Sequence, residues 1–175
     1  MNRLCAAAAL LLLAACAAPG FLNPATDIEF ELSGRIAVRY RDDAGSGNIV
    51  WRHGARSDEM LLTTPFGQGI ARLARADDEF TLTTQDGREF RAADAESLTE
   101  QVLGFRLPLR GLADWVRGRA APGPAQTRND SAGRLAELEQ SGWKIEYQEY
   151  AGTHPSRLRL TYPGLELRLA VSEWE

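Results

Sequence analysis

The chain has 175 residues and two histidines, His53 and His154, and it carries the stretch Gly45-Ser46-Gly47. These are the residue types from which a hydrolytic or metal site would be assembled. Neither histidine has a metal-ligand neighbour at helical or hairpin spacing, which favours structural or solvent-facing roles. Ser46 touches glycine directly on both sides, whereas a nucleophile elbow places one residue between the serine and each glycine. The acidic runs Asp42-Asp43 and Asp77-Asp78-Glu79 are contiguous, unlike the spaced oxygen ligands of a calcium cage, and read as solvated turn charges. Neither a phosphate loop nor a dinucleotide fingerprint is present. The expectation is therefore a protein with no catalytic residues, no metal and no cofactor. A hydrolase stays open only if the fold gathers a histidine with a carboxylate and a serine.

Cysteine chemistry is more informative. The N-terminus reads 1-MNRLCAAAALLLLAACAAPG-20, with Arg3 ahead of an apolar run over residues 4–15. That run is shorter than the ~20 residues a membrane-crossing helix needs. Leu13-Ala14-Ala15-Cys16 resembles a bacterial lipobox, which implies cleavage before Cys16 and acylation of its sulfur and its new amino group. Residues 1–15 are then a lipoprotein signal peptide, residues 16–27 a lipidated cysteine and tether, and residues 28–175 a single domain. An ordinary signal peptide cut nearby would leave Cys16 a lone thiol without use. Cys5 departs with the signal, so an intrachain disulfide is not expected and packing must stabilise the fold.

The chain is 44% hydrophobic and 25% charged, ordinary globular composition. A net charge of −4 argues against nucleic acid as a partner. Lys144 is the single lysine, and the arginines are spread along the chain. They read as a compositional bias, not as a recognition surface.

From residue 28 onward, period-2 alternation dominates. Ile28, Phe30, Leu32, Ile36, Val38 and Tyr40 share one parity, while Glu29, Glu31, Arg35 and Arg39 take the other. This is a half-buried strand, and Gly34 within it suggests a bend or bulge. Asp42 to Gly47 reads as a loop. Ile49 and Trp51, then Met60, Leu62 and Thr64, then residues 69–75, then Phe80 and Leu82 continue the strands, and Phe90 closes this group. The period then changes. Asp94 is a plausible N-cap for a helix carrying Leu98, Val102 and Leu103 and ended by Gly104. Leu109, Leu112, Ala113 and Val116 form the stripe of a second, amphipathic helix, with Gly118 at its C-terminal end. Strands return with Trp143, Ile145 and Tyr147, and with two runs around Pro163-Gly164. Residues 134–140 fit helix or strand by periodicity alone. About ten antiparallel strands with two helices inserted predict a curved sheet with helices on one side. The inner apolar face could enclose a solid core or a ligand cavity.

The stretch 62-LTTPFGQGIA-71 places Phe66, a bulky apolar residue, between Pro65 and Gly67, where a turn tip normally faces water. Three segments together resemble the LolB family of outer-membrane lipoprotein receptors: 32-LSGRIAV-38 with Trp51, 61-LLTTPFGQGIARL-73, and 93-ADAESLTEQVLGFRLPLRGLADWVRGR-119. The resemblance, with the lipobox, covers essentially the whole chain. It implies a mainly β (α+β) fold, an incomplete, open antiparallel β-barrel of about 10–11 strands covered by helices and enclosing an apolar cavity. It also tips residues 134–140 toward strand.

Members of that family receive lipoprotein acyl chains from a soluble periplasmic carrier, a LolA-like protein, and insert the cargo into the outer membrane. They carry a protruding loop with an exposed apolar residue, usually leucine, between proline and glycine. The resemblance therefore implies membrane insertion by Pro65, Phe66 and Gly67, with phenylalanine in place of leucine. It implies lipidation at Cys16 and residence at the periplasmic face of the outer membrane as a monomer. Ala17, where aspartate signals inner-membrane retention in many enteric bacteria, fits that destination. A carrier that must release its cargo needs an open or loosely packed interior. Parity and helix-face reasoning nominate Ile36, Val38, Trp51, Leu62, Leu73, Leu82, Leu103, Leu112, Trp115 and Val116 as its lining. The alternative is a structural outer-membrane lipoprotein, or a binder of small apolar ligands, without transfer activity.

Overall fold

The computed structural model describes residues 28–175; the signal segment, Cys16 and the tether lie outside the described residues. Eleven strands form one antiparallel sheet, β1 Ile28–Tyr40, β2 Asp43–Gly54, β3 Ser57–Thr63, β4 Gly69–Ala76, β5 Glu79–Thr84, β6 Glu89–Ala92, β7 Gln126–Asn129, β8 Leu135–Gln140, β9 Trp143–Ala151, β10 His154–Tyr162 and β11 Leu165–Trp174. Two helices, α1 Ala95–Leu103 and α2 Leu109–Val116, join β6 to β7. The strand order is β6-β5-β4-β3-β2-β1-β11-β10-β9-β8-β7, so two meanders are joined by the β1–β11 pair and the sheet stays open between β6 and β7.

Alternation carries straight into packing. One inward rung runs Leu32–Trp51–Met60–Leu73–Leu82–Phe90 across β1 to β6. A second runs Leu138–Ile145–Leu160–Leu167–Val38 across β8, β9, β10, β11 and β1. Side chains two apart on a strand share a face, so each rung presents apolar groups to one interior. The register slips between Ser33 and Gly34, the bulge anticipated at that glycine. Residues 134–140, ambiguous by period, are a strand from Leu135 onward.

One sequence expectation fails. Asp42–Gly47 is not a loop: β2 begins at Asp43, and the turn is confined to Arg41 and Asp42. Tyr40 pairs with Asp43 and Ile36 with Gly47, so the small residues belong to the ladder. Gly47 is there because a Cβ would sit 2.2 Å from the Thr63 carbonyl oxygen on β3. The composition is loop-like for a packing reason.

Helix α1 starts where Asp94 caps it, its Oδ1 accepting the Ser97 backbone N–H at 2.7 Å. That bond holds the Asp94 carboxyl below its ordinary value of 3.8. The helix ends at Gly104, whose left-handed φ of 80° suits glycine. Helix α2 is tied into the core through Trp115, whose Nε1–H donates to Gln140 Oε1 at 2.8 Å and whose carbonyl accepts the Tyr147 hydroxyl at 2.9 Å. Burial pushes the Tyr147 hydroxyl well above the ordinary phenol range.

A polar cluster locks the end of the sheet where β2 turns into β3. Asp58 accepts from Trp51 Nε1 at 2.9 Å and from Arg75 Nε, and its Oδ1 lies 2.6 Å from His53 Nδ1. Arg75 also donates to the carbonyls of Gly54 and Ser57. Asp58 and Arg75 are each only 6% exposed at the side chain. A buried pair that loses one partner strands the other charge.

Two outcomes follow. Asp58→Ala should lower unfolding free energy by roughly 3–5 kcal/mol in denaturant titration, because Arg75 loses its carboxylate. Asp94→Ala should lower Tm at neutral pH. The carboxylate is favoured by the fold, so its contribution is complete above pH 3.8 and lost as pH falls through the depressed native value. The Tm gap between variant and parent should therefore close in strong acid, as read by thermal melts across pH.

Candidate functional site

The loop joining β3 to β4 is built around Thr64. Its carbonyl accepts the Gly67 N–H at 2.9 Å, its N–H donates to the Gln68 carbonyl at 2.7 Å, and its hydroxyl accepts the Gln68 N–H at 3.1 Å. Pro65 presets the first corner of this turn, and Gly67 takes the left-handed φ of 86°. Phe66 sits at the corner between them and is 94% exposed. The hydrogen-bonded turn places this residue at its exposed corner.

Beside this loop the inner face is incompletely covered. Phe30, Leu32, Trp51 and Met60, toward the far end of β1 to β3, are buried. Ile36, Val38, Tyr40 and Leu62, toward the loop, are only partly so. Ile70 is 38% exposed, and its Cδ1 lies 3.5 Å from where a Gly47 Cβ would be. At Gly45 an added Cβ would meet nothing within 4 Å. The strip is roofed by the segment between the helices: the Tyr40 hydroxyl donates to the Gly104 carbonyl at 2.7 Å, and the Tyr40 and Phe105 rings lie 5.3 Å apart.

The nominated lining residues therefore separate by depth. Trp51, Leu73, Leu82, Leu112, Trp115 and Val116 are buried in the core, and Trp115 packs 6.0 Å from the Trp143 ring. Ile36, Val38 and Leu62 border the strip near Phe66. Leu103, at the end of α1, is 39% exposed. Ile70 and Phe105 belong to the strip but escaped the sequence reading. Ile70 lay in the strand read over residues 69–75 but on the parity opposite Leu73, and Phe105 stood in the step between the two helices, so neither was nominated. Tyr40 had the right parity but looked like the end of a strand.

Two pockets of about 510 and 680 Å³ lie elsewhere. The smaller is formed by 124–126 and 139–144, and the larger by charged groups including Arg56, Arg75, Asp77, Asp114 and Arg117. Neither is the hydrocarbon hollow expected from sequence. Among the described residues no group of three or more His, Cys, Asp or Glu is placed to hold a metal ion. His53 does meet a carboxylate, but Asp58 also accepts from Trp51 and Arg75, so its oxygens are committed to structure. His154 stacks on Trp174 with ring centroids 5.1 Å apart.

Residues 28–174 match the family model described as "Outer membrane lipoprotein LolB". The outer-membrane lipoprotein LolB of Thiobacillus denitrificans is 38% identical over 146 residues, covering 82% of this chain and 78% of that protein. Its counterpart in Azoarcus is 34% identical over 98% of this chain and 92% of its own length. A solved structure of a LolA superfamily protein from Nitrosomonas europaea aligns with 83% of this chain and 85% of its own, at a TM-score of 0.49 and 13% identity. On the family match and the identity to curated relatives, the chain belongs to the LolB family of outer-membrane lipoproteins.

Proposed function

We propose that this protein is an outer-membrane lipoprotein receptor, not an enzyme. Anchored through Cys16 at the periplasmic face, it accepts the acyl chains of lipoproteins from a LolA-like carrier and passes the cargo into the outer membrane as a monomer. The observation that carries this reading is Phe66, 94% exposed on a rigid turn beside a half-buried apolar strip.

The physical problem is the cargo's hydrocarbon. An acyl chain of about 15 methylenes costs ~12 kcal/mol in water, at ~0.8 kcal/mol for each methylene. The strip formed by Ile36, Val38, Leu62 and Ile70 offers that chain an apolar entrance. To deepen it into a cavity, the Gly104–Phe105 segment must swing from Tyr40, giving up one hydrogen bond and one ring contact. An intramolecular hydrogen bond contributes only about 0.5–1.5 kcal/mol net. The roof is therefore weak compared with the gain from burying a chain, and the hollow forms as cargo enters.

Delivery uses Phe66. Moving this ring from water into hydrocarbon gains about 1.5–3 kcal/mol, too little to anchor a protein but enough to orient the strip toward the bilayer. The sequence carries no nucleotide fingerprint, so transfer runs downhill in affinity from carrier to receptor to membrane. The competing reading, a structural lipoprotein, predicts an interior that takes up no ligand.

Phe66→Glu should leave the fold and cargo binding intact while slowing cargo release into vesicles about ten- to hundredfold, the equivalent of the lost transfer energy. Wild-type release rates would remove the loop from the mechanism. Tyr40→Phe should raise uptake of a fluorescent fatty acid about two- to tenfold through the loosened roof. If neither parent nor variant takes up a displaceable probe, the structural reading prevails.

A further inference from the structure

Fifteen arginines of the described residues have a carboxylate within 4.0 Å. Arg35, Arg39 and Arg41 do not, and all three are exposed. Arg41 instead lies over the Tyr40 ring at 4.9 Å. Arg35 and Arg39 point away from the face that carries Ile36 and Val38, since neighbouring strand residues face opposite ways.

Their position is set by register. Arg35 pairs with Asn48, and Asn48 with Thr63, the last residue before the Phe66 loop. Arg39 lies four residues further along β1, about 13 Å toward the same end of the sheet. The Phe66 loop begins one residue after Thr63, at that level of the sheet. On the other flank of β1, Arg168 of β11 directly opposes Arg159 of β10, a like-charge pair that costs stability in an antiparallel ladder. The two share Glu166, which lies 2.8 Å from Arg168 and 3.8 Å from Arg159. Arg159 also lies 3.6 Å from Glu146, yet its Nε is buried without a hydrogen-bond partner. Asp42 and Asp43 sit at the hairpin tip, past Arg39, and pair with none of these groups among the described residues.

We infer that Arg35 and Arg39, with Arg168 and Arg159 beside them, form a docking belt for the phosphates of anionic phospholipids in the bilayer that Phe66 enters. The inference rests on the membrane-facing reading of Phe66. Guanidinium groups match phosphate oxygens in geometry and charge. A chain of net charge −4 is otherwise repelled by an anionic surface, so a face on which Arg35, Arg39, Arg159 and Arg168 outnumber Glu146 and Glu166, the latter opposite Arg39, selects its orientation. The like-charged Arg159–Arg168 pair is relieved by an incoming anion.

The test uses the full acylated protein in vesicles, with a fluorophore on S46C, an exposed β2 position across from Ala37. The readout is quenching by a spin label on the lipid headgroup. Quenching should be severalfold stronger in vesicles containing about one-third phosphatidylglycerol than in phosphatidylcholine alone. The excess should vanish near 1 M salt, where the screening length is ~3 Å, and in the R35Q/R39Q variant, which breaks no ion pair of the fold. Equal quenching in the two lipids, or an excess that survives R35Q/R39Q, overturns the belt. So does displacement of the label's response by added polyglutamate in phosphatidylcholine vesicles, which would assign the face to an acidic protein. The loop is judged separately: cargo release by Phe66→Glu in phosphatidylcholine vesicles tests Phe66 where no anionic lipid is present.

Discussion

An open sheet cannot shield its own inner face from water. In a closed barrel the last strand pairs with the first and the interior is sealed all round. Here β6 and β7 are both edges, and the segment between them carries the two helices. The degree to which that segment reaches each rung decides how dry the rung is. Trp115 of α2 reaches β8 and β9 through Gln140, Trp143 and Tyr147, and those rungs are closed. Near Tyr40 the covering is one hydrogen bond and one ring contact, and the rungs remain half-open.

Charge is distributed along the same gradient. At the far end of β2 and β3, Asp58 and Arg75 are buried, and Arg75 also binds backbone carbonyls. This arrangement tolerates little motion, because separating the groups strands a charge in a low-dielectric setting. At the opposite end Arg35 and Arg39 of β1 are exposed and, among the described residues, have no carboxylate within ion-pair distance, and Phe66 stands clear of the fold. A rigid end and a loosely covered end on one sheet suit the uptake of cargo proposed for this mouth.

Most of the architecture was legible because alternation is a local property. Parity separated Ile36 and Val38 from Arg35 and Arg39 without knowledge of any neighbour, and both helices were marked by a capping residue and an apolar stripe. The misreadings share a different cause. Gly47 looks like a loop residue until Thr63 is seen approaching from β3. Leu103 lies on a good helix pattern yet falls at an exposed end. Trp51 has the right parity for a lining residue, but Asp58, seven residues away, draws its indole into the locked corner.

The amino-acid order by itself determined which residues share a face, where the helices begin and end, and that Phe66 stands on a proline–glycine turn, since each depends on contacts within a few residues. Only the tertiary structure decided which inward residues are sealed and which stay half-open, and which arginines find a carboxylate. Those outcomes depend on register across strands far apart in sequence, and on where the β6–β7 connection touches the sheet.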